Sequence, residues 1–429
     1  MCAGNQTGPA QEKGYGVDDA RYRWVVLLLS GATATFALAM PTMAMPVLFA
    51  EIADDLGLTL VQIGAVWGTV SFAGLFAGLV GGVLGDRFGV KRTVALACLL
   101  LGIAGASRGL AGSLSTMTLT VFLSGLVSAA VPMNLHKVCA TWFSGKSLGL
   151  ANAIISGGMA LGFATGALVS ATILSPWLGG WRNVLFFYGA LAVLMSVPWA
   201  MTRPAPRDTH REPEVGDGIS IRRAIFRLVR LRSLWALGIA LLGIGGAVQG
   251  VLGYLPLYLR GIGWPAERAD ASLASFHMIS LLVVLPLALL AGRLGSKTRL
   301  LIAAALMVAT GIGLLSITQG ALIIVAILIC GAVRDGYMAV FMTAVIELDG
   351  VGVAYSGTAL GLVMTLLRIG GLLAPPLGNS LAVYGPRIPF LMWSAMALLG
   401  AGALLLVRDK DRRLYPSDSA GRGGFTRSS

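Results

Sequence analysis

Apolar runs of about twenty residues recur along the chain from Trp24 to Val407, separated by short polar loops. The runs are continuous rather than alternating, so they predict helices and not the strands of a barrel. About twenty such residues carry a helix through the hydrocarbon layer of a bilayer. No water is present there to bond the backbone, and a helix pairs its own N–H and C=O groups. The pattern predicts twelve helices, near 24–50, 58–83, 92–109, 116–140, 148–173, 181–201, 233–259, 271–292, 299–317, 320–345, 355–376 and 386–407. One connection, 202–232, is long. Its first part, Arg203 to Gly218, is rich in proline, arginine and acids and reads as a flexible linker. Its second part, Ile219 to Arg232, sets apolar and basic residues at helical spacing, which suits a helix lying on an anionic membrane surface.

These elements predict a tail at 1–23, a six-helix bundle at 24–201, the linker with its interfacial helix at 202–232, a second six-helix bundle at 233–407 and a tail at 408–429. The halves look duplicated. Gly82-Val-Leu-Gly85-Asp86-Arg87-Phe-Gly89-Val-Lys91-Arg92 follows the second helix, and Gly292-Arg-Leu-Gly295-Ser296-Lys297-Thr-Arg299 follows the eighth. Two related halves around a midplane site is a common plan for transporters.

Charge adds the topology. Only 12% of the 429 residues are charged, against roughly 25% in a soluble domain. The net charge of +13 sorts by side. With the amino terminus in the cytoplasm, 24 Lys and Arg fall in cytoplasmic segments and five, among them Arg108 and Arg182, fall opposite. Cytoplasmic loops retain such residues during insertion. The expectation is therefore a multi-pass inner-membrane protein with both termini cytoplasmic, bathed in lipid and monomeric. The basic balance needs no nucleic acid to explain it. Three of the four cysteines lie in apolar segments, and no His/Cys spacing suits a metal. No phosphate-cradling loop or Ser–His–Asp grouping is present, so no catalytic residue, cofactor or enzymatic activity is expected.

The stretch carrying Gly82, Asp86, Arg87, Gly89, Lys91 and Arg92 resembles the signature of the major facilitator superfamily between its second and third helices. Gly180-Trp181-Arg182 before the sixth helix resembles another common element of that family. The resemblance spans about Arg21 to Arg408. It implies two pseudo-symmetric six-helix bundles, alternating access to a central cavity, and a gating role for Asp86 and Arg87. It is partial in two places. Val121 stands where the fourth helix of the family usually carries an arginine, which bears on proton coupling. Gly158, Gly162 and Gly166 pack the fifth helix, but without the proline of drug/proton antiporters. The arginine pair of nitrate porters is also missing from the second and eighth helices.

Ionisable residues inside spans cost about 2.5–3.5 kcal/mol each on insertion scales, so they are candidates for function first. Arg334 and Asp335 fall in the tenth helix, Arg368 in the eleventh, His136 and Lys137 in the fourth, and His277 in the eighth. The resemblance places helices one, four, seven and ten around the cavity. Three cations (Lys137, Arg334 and Arg368) stand against one acid, Asp335, and an arginine fork suits a carboxylate. A small organic anion is the favoured substrate, with Arg334, Arg368, Lys137, His136, Gln249, Tyr254 and Tyr337 as candidate ligands. Asp335 is the candidate proton carrier; a coupling proton or counter-anion would accompany the substrate. The competing interpretation pairs Asp335 with Arg334 or Arg368 as structural glue and lets Lys137 reach the surface. Thr33, Thr35 and Thr42 of the first helix could complete a site. Efflux of drugs or other amphiphiles, a nitrate- or cyanate-type porter, and a transporter-like sensor or assembly factor remain as alternatives.

Overall fold

A computed structural model describes residues 17–203, 221–293 and 296–407. Side chains of residues 17–20, 77–88, 146, 221–224, 288, 291–293 and 353–354 lie outside that description. Among the described residues all regular structure is helical. Ten helices are long and apolar enough to cross a membrane, and two shorter apolar helices, Leu60–Phe76 and Ile388–Leu404, occupy the second and twelfth predicted places. The first to sixth spans are Arg21–Leu56, Leu60–Phe88, Val90–Leu110, Leu114–Trp142, Ser147–Leu178 and Trp181–Met201. The seventh to twelfth are Arg232–Gly261, Ala266–Arg293, Lys297–Ile317, Leu322–Ile346, Gly352–Ser380 and Ile388–Leu404. A short basic helix, Ile221–Leu228, precedes the seventh.

Local chemistry sets the ends. Thr59 and Gln62 form a reciprocal capping box that opens the second span, with the Thr59 N–H donating to Gln62 Oε1 at 2.8 Å. Ser113 and Thr116 do the same for the fourth. Gly89 joins the second and third spans in a single residue at φ 81°, a region that L side chains avoid.

Four spans depart from a plain α-helix. The first widens to a π-helix at Thr33–Ala39 and the fifth at Ser170–Leu174. The fourth stops at Ser128 and restarts at Val131, ahead of Pro132. The tenth stops at Ala332 and restarts at Arg334, with Val333 at φ −100° and ψ −5° between the pieces. Such interruptions free backbone groups that neighbouring side chains can satisfy.

Contacts group the chain into two units. The first takes residues up to Pro213 and also Leu252–Met278; the second takes Glu214–Val251 and Ile279 onward. Lipid tails are as apolar as leucine, so close approach of backbones holds helices together inside a membrane. In the first unit Gly158, Gly162 and Gly166 of the fifth span lie against Gly31, Thr35, Ala39 and Met40 of the first. The Thr35 hydroxyl donates to the Gly158 carbonyl at 2.9 Å. Buried Trp199 donates from Nε1 to Thr33 Oγ1 at 2.8 Å. Gly253 of the seventh span leaves room for the Trp67 ring.

In the second unit, fully buried Trp393 donates to the Ala374 carbonyl at 2.8 Å. Its indole sits where side chains on Gly250 and Gly378 would otherwise be. Ser394 ties the twelfth span to the ninth through the Ala309 carbonyl at 2.8 Å.

Candidate functional site

In the second unit the break at Val333 places Arg334 and Asp335 at the start of a new helical segment. Their side chains pair with each other at 3.0 Å and are both partly exposed. The opened ladder also leaves the Asp335 N–H without its usual carbonyl. Ser280 of the eighth span takes it at 3.1 Å, and the Ser280 hydroxyl donates to Asp335 Oδ2 at 2.8 Å. Gly336 lets the eighth span approach, since a Cβ there would fall 2.5 Å from Leu287 Cδ2. Tyr337 is buried, stacks on Phe341 at 5.8 Å, and its hydroxyl has no hydrogen-bond partner among the described residues. Gln249 is half-buried in the same unit.

Arg368 is half-buried in mid-span and makes no ion pair or hydrogen bond among the described residues. Asp335 pairs with Arg334, and among the described residues Arg368 has no counter-charge.

In the first unit His136 Nδ1 and Asn152 Oδ1 lie 2.9 Å apart across the fourth and fifth spans. Lys137 is half-buried beside it. Tyr254, at the other end of this unit's candidates, is buried and stacks on Tyr258 at 6.2 Å. The three threonines of the first span turn to the backbone. Thr33 and Thr42 donate to Leu29 and Leu38 carbonyls, and Thr35 donates to the fifth span. His277 packs between rings, 5.2 Å from Phe163 and 5.4 Å from Phe276.

Of the basic loop, Gly82, Asp86 and Arg87 have side-chain positions outside the described residues. Lys91 Nζ donates to the Thr202 carbonyl, linking the loop to the end of the sixth span. Lys91 and Arg92 line a cavity of about 330 Å³ with Trp142, Trp199 and Arg203. His210 lies outside the described residues, and among those described no cluster of His, Cys, Asp or Glu suits a metal.

Some polar contacts were not legible in the sequence. Arg182 pairs with Asp55 at 2.8 Å and donates to the Gly109 and Ala111 carbonyls at 3.0 and 2.6 Å. Trp181 adds a bond to Asp55 at 3.2 Å. The Gly-Trp-Arg element therefore fastens the first, third and sixth spans at one face. Asp270 is fully buried and chelated by Arg260 Nη2 at 2.7 and 2.8 Å. Arg108, counted with the charges opposite the cytoplasm, is only 6% exposed.

A family model for the Major Facilitator Superfamily matches residues 27–349, three-quarters of the chain. The chain belongs to the major facilitator superfamily. It is therefore a multi-pass transporter, not an enzyme. Among relatives of this facilitator, the "Probable sulfoacetate transporter" of Cupriavidus necator is 24% identical over 82% of this chain and 86% of that protein. The "Probable galactarate/D-glucarate transporter" of Escherichia coli K12 is 32% identical, over 42% of this chain and 40% of its own length. The fold matches a crystal structure of a bacterial homolog of the human lysosomal transporter Spinster, with a TM-score of 0.73 at 15% identity, covering 92% of this chain and 97% of that one.

Proposed function

We propose that this facilitator moves a small organic anion, a carboxylate or a comparable oxyanion, across the inner membrane by alternating access, with both termini cytoplasmic. Arg368 carries the reading. Its half-buried guanidinium has no counter-charge among the described residues, while Arg334 is balanced by Asp335. A cation held in a span at a cost of about 2.5–3.5 kcal/mol favours an anionic ligand over a neutral or cationic one. The sulfonate and sugar-acid substrates in the names of two relatives agree with that sign. Gln249 and Tyr337 would add neutral hydrogen bonds, Lys137, His136 and Tyr254 are further candidate ligands, and Asp335 would carry a coupling proton. Asp86 and Arg87 would gate the cycle.

Purified protein in proteoliposomes should take up sulfoacetate or glucarate, and Arg368→Gln should reduce that uptake about 10- to 100-fold, the value of a charged hydrogen bond. Transport of an amphiphilic cation with no anion uptake, or full activity of Arg368→Gln in correctly inserted protein, would refute the reading.

A further inference from the structure

Arg108 enters a 3-10 turn as the third span ends, and folds back so that Nε donates to the Gly105 carbonyl at 3.1 Å. That is the side chain's only hydrogen bond, and it makes no ion pair, among the described residues. Two carboxylates near this end of the first span, Asp55 and Glu51, are engaged elsewhere, and exposed Asp54 makes no ion pair among the described residues. Asp55 holds Arg182 and Trp181, and Glu51 accepts from Ser175 at 2.6 Å. A guanidinium that is 6% exposed, with the rest of its fork unpaired, leaves four of its five N–H donors without a protein partner among the described residues.

The side chain faces a cavity of about 40 Å³ inside the first unit, which Thr42, Trp67, Val121, Ser124 and Tyr188 also line. The Thr42 and Tyr188 hydroxyls already bond to the Leu38 carbonyl and to Ser170. Ser124 does not: it is 7% exposed and its hydroxyl has no partner among the described residues. One cavity therefore collects an uncompensated cation and an unused hydroxyl donor, with an aromatic and aliphatic wall around them. A volume of that size holds a few waters, at roughly 10–15 Å³ each. It is too small for a sugar acid.

We propose that this cavity binds a small monovalent inorganic anion, of halide to nitrate size, between the Arg108 guanidinium and the Ser124 hydroxyl. The site lies within the first unit and does not rest on the organic-anion reading. An anion there neutralises Arg108 and fastens the end of the third span to the fourth, so occupancy stabilises the first unit.

The test uses the full-length protein purified in a buffer whose only anion is bulky MES. Thermal melts are recorded while chloride, bromide or nitrate is titrated, with sulfate as control. The wild type should show a saturable rise in melting temperature with the monovalent anions and none with sulfate. Arg108→Gln should weaken the apparent affinity about tenfold or more, and Ser124→Ala about fivefold. Should Arg108→Gln fail to fold, Ser124→Ala decides alone, because it removes only a hydroxyl that has no hydrogen-bond partner among the described residues. The proposal is overturned if the wild type shows no saturable response, or if Ser124→Ala or a folded Arg108→Gln responds as the wild type does.

Discussion

The contact between the first and fifth spans supports a graded prediction. A methyl group placed on Gly158 would meet Thr35 Oγ1 at 3.0 Å and the Gly31 carbonyl oxygen at 3.1 Å. On Gly162 it would meet Ala39 Cβ at 2.6 Å and the Thr35 carbonyl oxygen at 2.7 Å; on Gly166 it would lie 2.4 Å from the Met40 carbonyl oxygen and 2.6 Å from Met40 Cα. Ordinary contact begins near 3.4 Å, so Gly158→Ala asks for a shift of a few tenths of an ångström, whereas Gly166→Ala asks two backbones to part by about 1.0 Å. Overpacking of this kind costs about 1–3 kcal/mol. Alanine returns about 0.8–1.0 kcal/mol of helix preference over glycine. Gly158→Ala should therefore be near neutral. Gly162→Ala and Gly166→Ala should destabilise by about 1–2 kcal/mol net, with Gly166→Ala the worst because rigid backbone faces it. Thermal melts of the detergent-solubilised variants, followed by size-exclusion retention, give the order. A Gly166→Ala protein as stable as wild type, or a Gly158→Ala protein less stable than Gly166→Ala, would show that these backbones do not touch as described.

Other predictions follow from the buried polar contacts. Arg260→Ala should lower stability by about 3–5 kcal/mol, because it strands fully buried Asp270; the double variant Arg260→Leu/Asp270→Leu should recover most of that loss in the same melt. Trp199→Phe keeps the ring packing but loses the bond to Thr33, so a loss of about 1 kcal/mol is expected. Lys297→Ala should change stability by less than about 1 kcal/mol, since its partner Glu347 is 59% exposed; a large drop in melting temperature would contradict that assignment.

Hydropathy made the spans legible, because a bilayer demands the same length of apolar helix wherever it is crossed. Their interruptions were legible only in part. Pro41 removes the bond to Ala37 inside the π-segment Thr33–Ala39, and Pro132 stands at the restart of the fourth span; Gly331 and Gly336 flank the break at Val333, but glycines also run through unbroken spans. Without the break, Arg334 and Asp335 look like neighbours pointing apart; with it they pair, and Ser280 serves both the carboxylate and the freed N–H. Arg108 escaped for another reason. A single arginine at a helix end reads the same whether it meets water or turns inward, and the charge count by side could not separate the two. Val121 was singled out for lacking the arginine of the resemblance, and it lines the cavity that Arg108 faces from the third span.

The seventh span was read as one helix of the second half, and it is one continuous helix of thirty residues. Its membership nevertheless changes between Val251 and Leu252. On either side of that seam stands a glycine, and each receives the indole of its own unit: Gly250 that of Trp393, Gly253 that of Trp67. Adding a methyl group to one of them evicts one indole and leaves the other seated. Two additions of a single carbon, one helical turn apart, would thus disturb the packing of one unit at a time, so a loss of stability can be assigned to the unit in which it arises.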